Sequence, residues 1–164
     1  MFKVTTSRVN RKLAKLRLHF DYNIKKAKLE SWSSRDGKII YLNPEDRKSR
    51  MMAKESQQHI LLHELGHIFV IKHKRLKKDP EVIKLFGNLN SPYRRNLSRK
   101  YENSDFISHY AQVHPEDNFA EVFAVYANYE GRMKQIEEML KKNHKSRKVL
   151  GQFLWLHKLI KKLK

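Results

Sequence analysis

Cysteine is absent from this chain. That excludes disulfide staples, zinc ribbons and thiol redox centres, and it leaves the compartment undecided. Long apolar runs are missing too: nothing reaches the roughly 20 residues needed to cross a bilayer as a helix. The opening stretch MFKVTTSRVNRKLAKLRLHF lacks a long apolar core followed by a small-residue cleavage site. On that ground the chain reads as cytoplasmic, with signal-less export or delivery by a phage or secretion machine left open. Negative charge is scarce: 17 acidic residues stand against 36 basic ones, giving a net charge of +19 and a pI near 10.1. Such a field attracts polyanions, acidic protein substrates or a cell envelope. Lysine-rich coding would give the same balance with no selected partner, and no nucleic-acid-binding module is recognisable. The basic residues cluster at 11–17, 72–78, 94–100 and 141–164. At 164 residues the chain is expected to form one domain, 1–164, with a core that needs no cross-links.

Against these absences one stretch stands out: His63-Glu64-Leu65-Gly66-His67, an H-E-x-x-H pattern inside the apolar run 60–71. On a helix, positions i and i+4 share a face, so both imidazoles can reach one metal ion. Glu64 follows the first histidine and can take a proton from a water at that ion, the arrangement of a zinc peptidase. Ile60, Leu61, Leu62, Leu65, Ile68, Phe69, Val70 and Ile71 surround the motif. A helix that is apolar all round is a buried one. Burying two histidines and a glutamate without partners would cost several kcal/mol, most of which a metal would remove. Gly66 costs about 1 kcal/mol relative to Ala in a helix interior. Close approach of another backbone, or of substrate, would account for it.

A catalytic zinc takes three protein ligands and leaves one position open. His73 has the spacing of H-E-x-x-H-x-x-G-x-x-H, but Val70 stands where that pattern has the turning glycine. A β-branched residue is strongly disfavoured at positive φ. With the helix continuing, His73 lies about 15 Å along the axis from His63. A better source is the segment FISHYAQVHPEDNFAEVFAVY, residues 106–126. Pro115 suits a first helical turn, Glu116 and Asp117 suit a helix N-terminus, and Phe119, Val122, Phe123 and Tyr126 form an apolar stripe. Asp117 and Glu121 share a face, so one carboxylate could bind metal and the other orient a metal-bound histidine.

That segment resembles the second motif of the bacterial putative zinc-binding metallopeptidase family, approximately F-I-S-x-Y-A-x-x-H-P-x-E-D-x-A-E-x-[WF]-A-x-Y. Its tyrosine and its acid-x-x-x-glutamate spacing are also similar to the catalytic domain of anthrax lethal factor. Both belong to the gluzincin-like branch of the zincins. The resemblance implies one Zn²⁺ per chain held by His63, His67 and Asp117, with Glu64 and Tyr110 catalytic and Glu121 behind a zinc histidine. It implies hydrolysis of protein or peptide substrates. It covers two motifs, well under half the chain. The family carries Glu at the ligand position, and this chain carries Asp117. One methylene less shortens the reach by about 1.5 Å. Either the second helix sits nearer the zinc or a neighbour ligates, with Glu116, Glu121, His114, His109 and His73 as alternatives.

The expected fold class is α+β: a small zincin-like domain, mostly helical, with a short sheet beside the HExxH helix. A basic helix is expected from Arg8 to Phe20, within an N-terminal segment 1–24, with Val9, Leu13, Leu16 and Phe20 on one side. Residues 26–32 and 38–42 read as two strands of a hairpin around Asp36-Gly37. By resemblance the second of them, with Ile39, Ile40 and Tyr41, forms the edge on which substrate pairs. Asn43-Pro44-Glu45-Asp46 opens a helical region leading to the metal helix. Residues 80–86 form a short helix and 94–100 a surface loop. Residues 146–164 form a basic amphipathic helix, packing on the core or binding a membrane or nucleic acid. The rival function is a basic nucleic-acid- or partner-binding module whose zinc is structural or absent. Oligomeric state is not legible.

Overall fold

A computed structural model describes residues 2–43, 57–92 and 103–163, without side chains for 2–5. The order is α1 (Phe2–Lys15), β1 (Asn23–Lys26), β2 (Trp32–Ser33), β3 (Ile39–Leu42), α2 (Gln57–Lys72), a 3-10 turn (Lys74–Lys78) and α3 (Pro80–Phe86). A second 3-10 turn (Tyr110–Gln112), α4 (Pro115–Asn128), α5 (Met133–Lys142) and α6 (Arg147–Lys162) follow. The fold is thus mostly helical with one small sheet, as the α+β reading expects. The expected helix opening at Pro44 and the loop 94–100 lie outside the described residues.

α2 is the central element. Its residues from His59 to Val70 are buried except His67, because apolar side chains occupy every face. α4 covers one side of it, α1 and the sheet another. Phe69, Phe119 and Phe123 meet in the middle, with ring centroids 5.3–6.1 Å apart for the two pairs Phe69 makes. α6 closes the far side, burying Val149, Phe153, Leu156 and Ile160, while Leu163 stays exposed. The C-terminal amphipathic helix therefore packs on the core.

Local chemistry explains the boundaries. α1 stops at Lys15, earlier than expected, because Arg17 takes a left-handed conformation (φ 56°). Leu18 N–H then bonds back to the Leu13 carbonyl, an ordinary helix-ending motif. Leu16 and Phe20 are still buried. Asp79 caps α3 by accepting from the Glu81 and Val82 N–H groups, with Pro80 in the first turn. His114 caps α4: its Nδ1 accepts from Glu116 N–H, and its Nε2 lies 3.1 Å from the Ser91 carbonyl.

The sheet has the order β1-β3-β2, with β1 parallel and β2 antiparallel to β3. Asp36-Gly37 does turn a hairpin, and Gly37 has the positive φ (69°) that glycine adopts freely. The strand expected at 26–32 is interrupted, however. Ala27 N–H still reaches the Leu42 carbonyl, but the Asn43 amide then donates to the Leu29 carbonyl, and Asn43 N–H to the Ser31 hydroxyl, which bends residues 28–31 away from the ladder.

Candidate metal centre

Two helices build the site, and their closeness sets its dimensions. A Cβ on Gly66 would lie 2.8 Å from the Ala120 Cα and 3.2 Å from its Cβ and carbonyl oxygen. No larger residue permits this contact of backbones. His63 and His67 bracket Gly66 on α2, and Asp117 lies one turn before Ala120 on α4. The three side chains converge. His67 Nε2 is 3.1 Å from His63 Nε2, and Asp117 Oδ1 is 3.4 Å from His63 Nε2 and 3.5 Å from His67 Nε2. A tetrahedral ion with bonds of about 2.0–2.1 Å separates its ligand atoms by about 3.3–3.4 Å. The triangle therefore has the dimensions of a zinc site with one position left, and the close approach of α2 and α4 brings the short Asp117 carboxylate within reach of both histidines.

Charge supports the same use. Glu121, fully buried, accepts from Ser108 Oγ (2.7 Å) and lies 2.5 Å from His63 Nδ1. A proton on His63 Nδ1 leaves Nε2 bare, facing Asp117 and His67. Burial opposes a charge on His63, but its bonds to Asp117 and Glu121 outweigh that and raise its pKa from 6.5 to about 10. Burial would raise the Asp117 carboxyl too, yet His63 and His67 hold it far below the usual carboxylate range. Glu121 falls to about 2: His59 and His63 overcome the burial that would raise it. The cluster stabilises a positive charge among buried side chains.

The open side faces a cleft of about 410 Å³. Glu64, His67, Ile71, Lys77, Glu116 and Asp117 line it together with residues 30–35. Tyr110 is buried, its ring centroid 5.4 Å from that of His63. The alternative ligands have other work. His114 caps α4, Glu116 pairs with Lys77 (3.0 Å) and His73 packs at a tilt against Phe69. Neither His109 nor Glu121 joins the group His63, His67 and Asp117.

One expectation is overturned. β3, carrying Ile39, Ile40 and Tyr41, is the middle strand, hydrogen-bonded on both sides by β1 and β2. It has no edge to offer. The strand bordering the cleft is β2. Ser34 N–H donates to the Ile39 carbonyl, so Ser33, one step along, turns its N–H and C=O away from β3. Residue-by-residue reading also overlooked His59, buried one turn before His63, with Nε2 3.5 Å from Glu121 Oε1. Its signal was the i−4 spacing that places it on the metal face.

A family model described as a putative zinc-binding metallo-peptidase matches residues 44–158. No curated protein matches the chain, and no solved structure does.

Proposed function

Because the chain belongs to the putative zinc-binding metallopeptidase family, we propose that it is a zinc-dependent endopeptidase with His63, His67 and Asp117 as ligands and Glu64 as base. The observation that carries this reading is the triangle of donor atoms, with sides of 3.1, 3.4 and 3.5 Å, at the floor of the cleft. Bound zinc would polarise the scissile carbonyl and bring the pKa of a water to about 7. Glu64, beside His67 in the cleft wall, takes the proton of the attacking water and delivers it to the departing amine. Tyr110 donates from its hydroxyl to the oxyanion. Glu121 holds the proton on His63 Nδ1 and so keeps Nε2 available.

Substrate backbone pairs with β2 through Ser33, a contact that gives affinity with little sequence choice. The net charge of +19 draws acidic proteins to the molecule and raises their rate of encounter at low salt. The deciding experiment is zinc content per chain for wild type and Asp117→Ala, alongside peptide cleavage by wild type and Glu64→Gln. About one zinc in wild type, little in Asp117→Ala and full zinc but no cleavage in Glu64→Gln support the reading. A folded wild type that refuses added zinc sinks it.

A further inference from the structure

His59 is the third histidine on the metal face of α2, and nothing in the chemistry above uses it. It is buried (3 % exposed), as is the Glu121 carboxylate that its Nε2 faces. On its other side, His59 Nδ1 lies 3.2 Å from Asn128 Nδ2. The Asn128 amide has its own constraint: its Oδ1 accepts from Gln58 Nε2 at 2.7 Å. These contacts have one consistent direction. Gln58 donates to Asn128, so the asparagine presents N–H to His59. His59 Nδ1 must then accept, which puts the ring proton on Nε2. That puts the proton on the nitrogen 3.5 Å from Glu121 Oε1, the same oxygen that takes His63 Nδ1–H.

We propose that Gln58, Asn128 and His59 form a directional relay behind Glu121, in which His59 is a positioning residue that fixes the carboxylate and thereby the tautomer of His63. The proposal rests on the reading of His63 as a metal ligand. The separation of 3.5 Å makes the last link an electrostatic contact longer than an ordinary hydrogen bond. It lies in a pocket closed to water, where such a contact is little screened. Without it, Glu121 keeps its bonds to Ser108 and His63 but loses the neighbouring N–H dipole that fixes the position of Oε1. His63 would then lose its fixed orientation toward His67 and Asp117.

The test uses the full chain as wild type, His59→Phe and His59→Gln, with zinc affinity from chelator competition and folding followed by circular dichroism. A glutamine amide can place an N–H where Nε2–H stands, and phenylalanine cannot. His59→Phe should weaken zinc by about tenfold, the low end for partners behind a ligand, and His59→Gln should stay within about threefold of wild type. Equal affinities in all three, or a His59→Gln as weak as His59→Phe, overturn the relay. Should His59→Phe not fold, Asn128→Leu at a partly exposed position makes the same test. It removes the donor to His59 Nδ1 and leaves that nitrogen free to take the ring proton, and unchanged zinc affinity would overturn the proposal. Two-bond proton–nitrogen correlation spectra read the tautomer directly: Nε2–H on His59 agrees, Nδ1–H refutes. A wild type that binds no zinc defeats the metal-centre reading, whereas the His59 tautomer, read in either form, decides the relay by itself.

Discussion

Gly66→Ala tests the link between helix packing and the metal centre. The added Cβ would stand 2.8 Å from the Ala120 Cα. Carbon atoms rest about 3.5–4.0 Å apart, so α2 and α4 must separate by about 0.7–1.2 Å at this point. Two effects on folding oppose each other. Alanine is better than glycine in a helix by about 1 kcal/mol, and overpacking costs about 1–3 kcal/mol. The metal-free chain should therefore lose no more than about 2 kcal/mol. The metal site has less tolerance, because ligand distances hold to within about 0.2 Å. Asp117 moves with α4, away from both histidines, and its short side chain cannot follow. Zinc affinity should fall at least tenfold, about 1.4 kcal/mol. Glutamate reaches about 1.5 Å further, which covers the new gap. Asp117→Glu should thus be harmful in the wild type and restorative in Gly66→Ala, a coupling that chelator competition on the four chains measures. A Gly66→Ala variant with wild-type zinc affinity, or additive effects of the two substitutions, would refute the reasoning.

Three further outcomes follow from the site. Glu64→Gln should keep zinc and lose cleavage by at least two orders of magnitude, the usual range for a general base. Cleavage at the wild-type rate would remove Glu64 from the mechanism. Tyr110→Phe should lower kcat about 100-fold with zinc content unchanged; a change in KM alone would place the hydroxyl in ground-state binding. In the metal-free chain, His63 is raised from 6.5 to about 10, so its contribution to stability is complete below pH 6.5 and is lost as pH climbs through about 10. Glu121, lowered from 4.5 to about 2, contributes above pH 4.5 and loses that as pH falls through about 2. The Tm of the metal-free chain should decline from pH 6.5 towards 10, a decline that zinc removes by replacing the proton on His63; a flat profile without metal would contradict it.

What could be read from the residues alone was what repeats along a helix. The all-round apolar character of α2 foretold its burial, and the i, i+4 spacings put His63 with His67 and Asp117 with Glu121. His59 obeys the same spacing and was open to the same reading. The edge strand was not legible. Whether β3 is an edge depends on β1 pairing with it in parallel across an intervening chain, and no pattern inside Ile39–Leu42 encodes that. The reach of Asp117 was half legible. Gly66 hinted at a close neighbour, but that the neighbour is Ala120, one turn from the carboxylate, is a fact of packing between helices distant in sequence.

A metal at this triangle would also be a cross-link. Its donors sit on α2 and α4, and the last histidine and the aspartate are about 50 residues apart along the chain. Closing a loop of that length in the unfolded chain costs about 4 kcal/mol in conformational entropy, on the scale of a disulfide. The chain has no cysteine with which to make one. The ion would thus stitch the two helices that carry the reactive groups. Depleting it would remove the reagent and loosen the frame in the same step, so chelators should sensitise the chain to proteases as well as silence it.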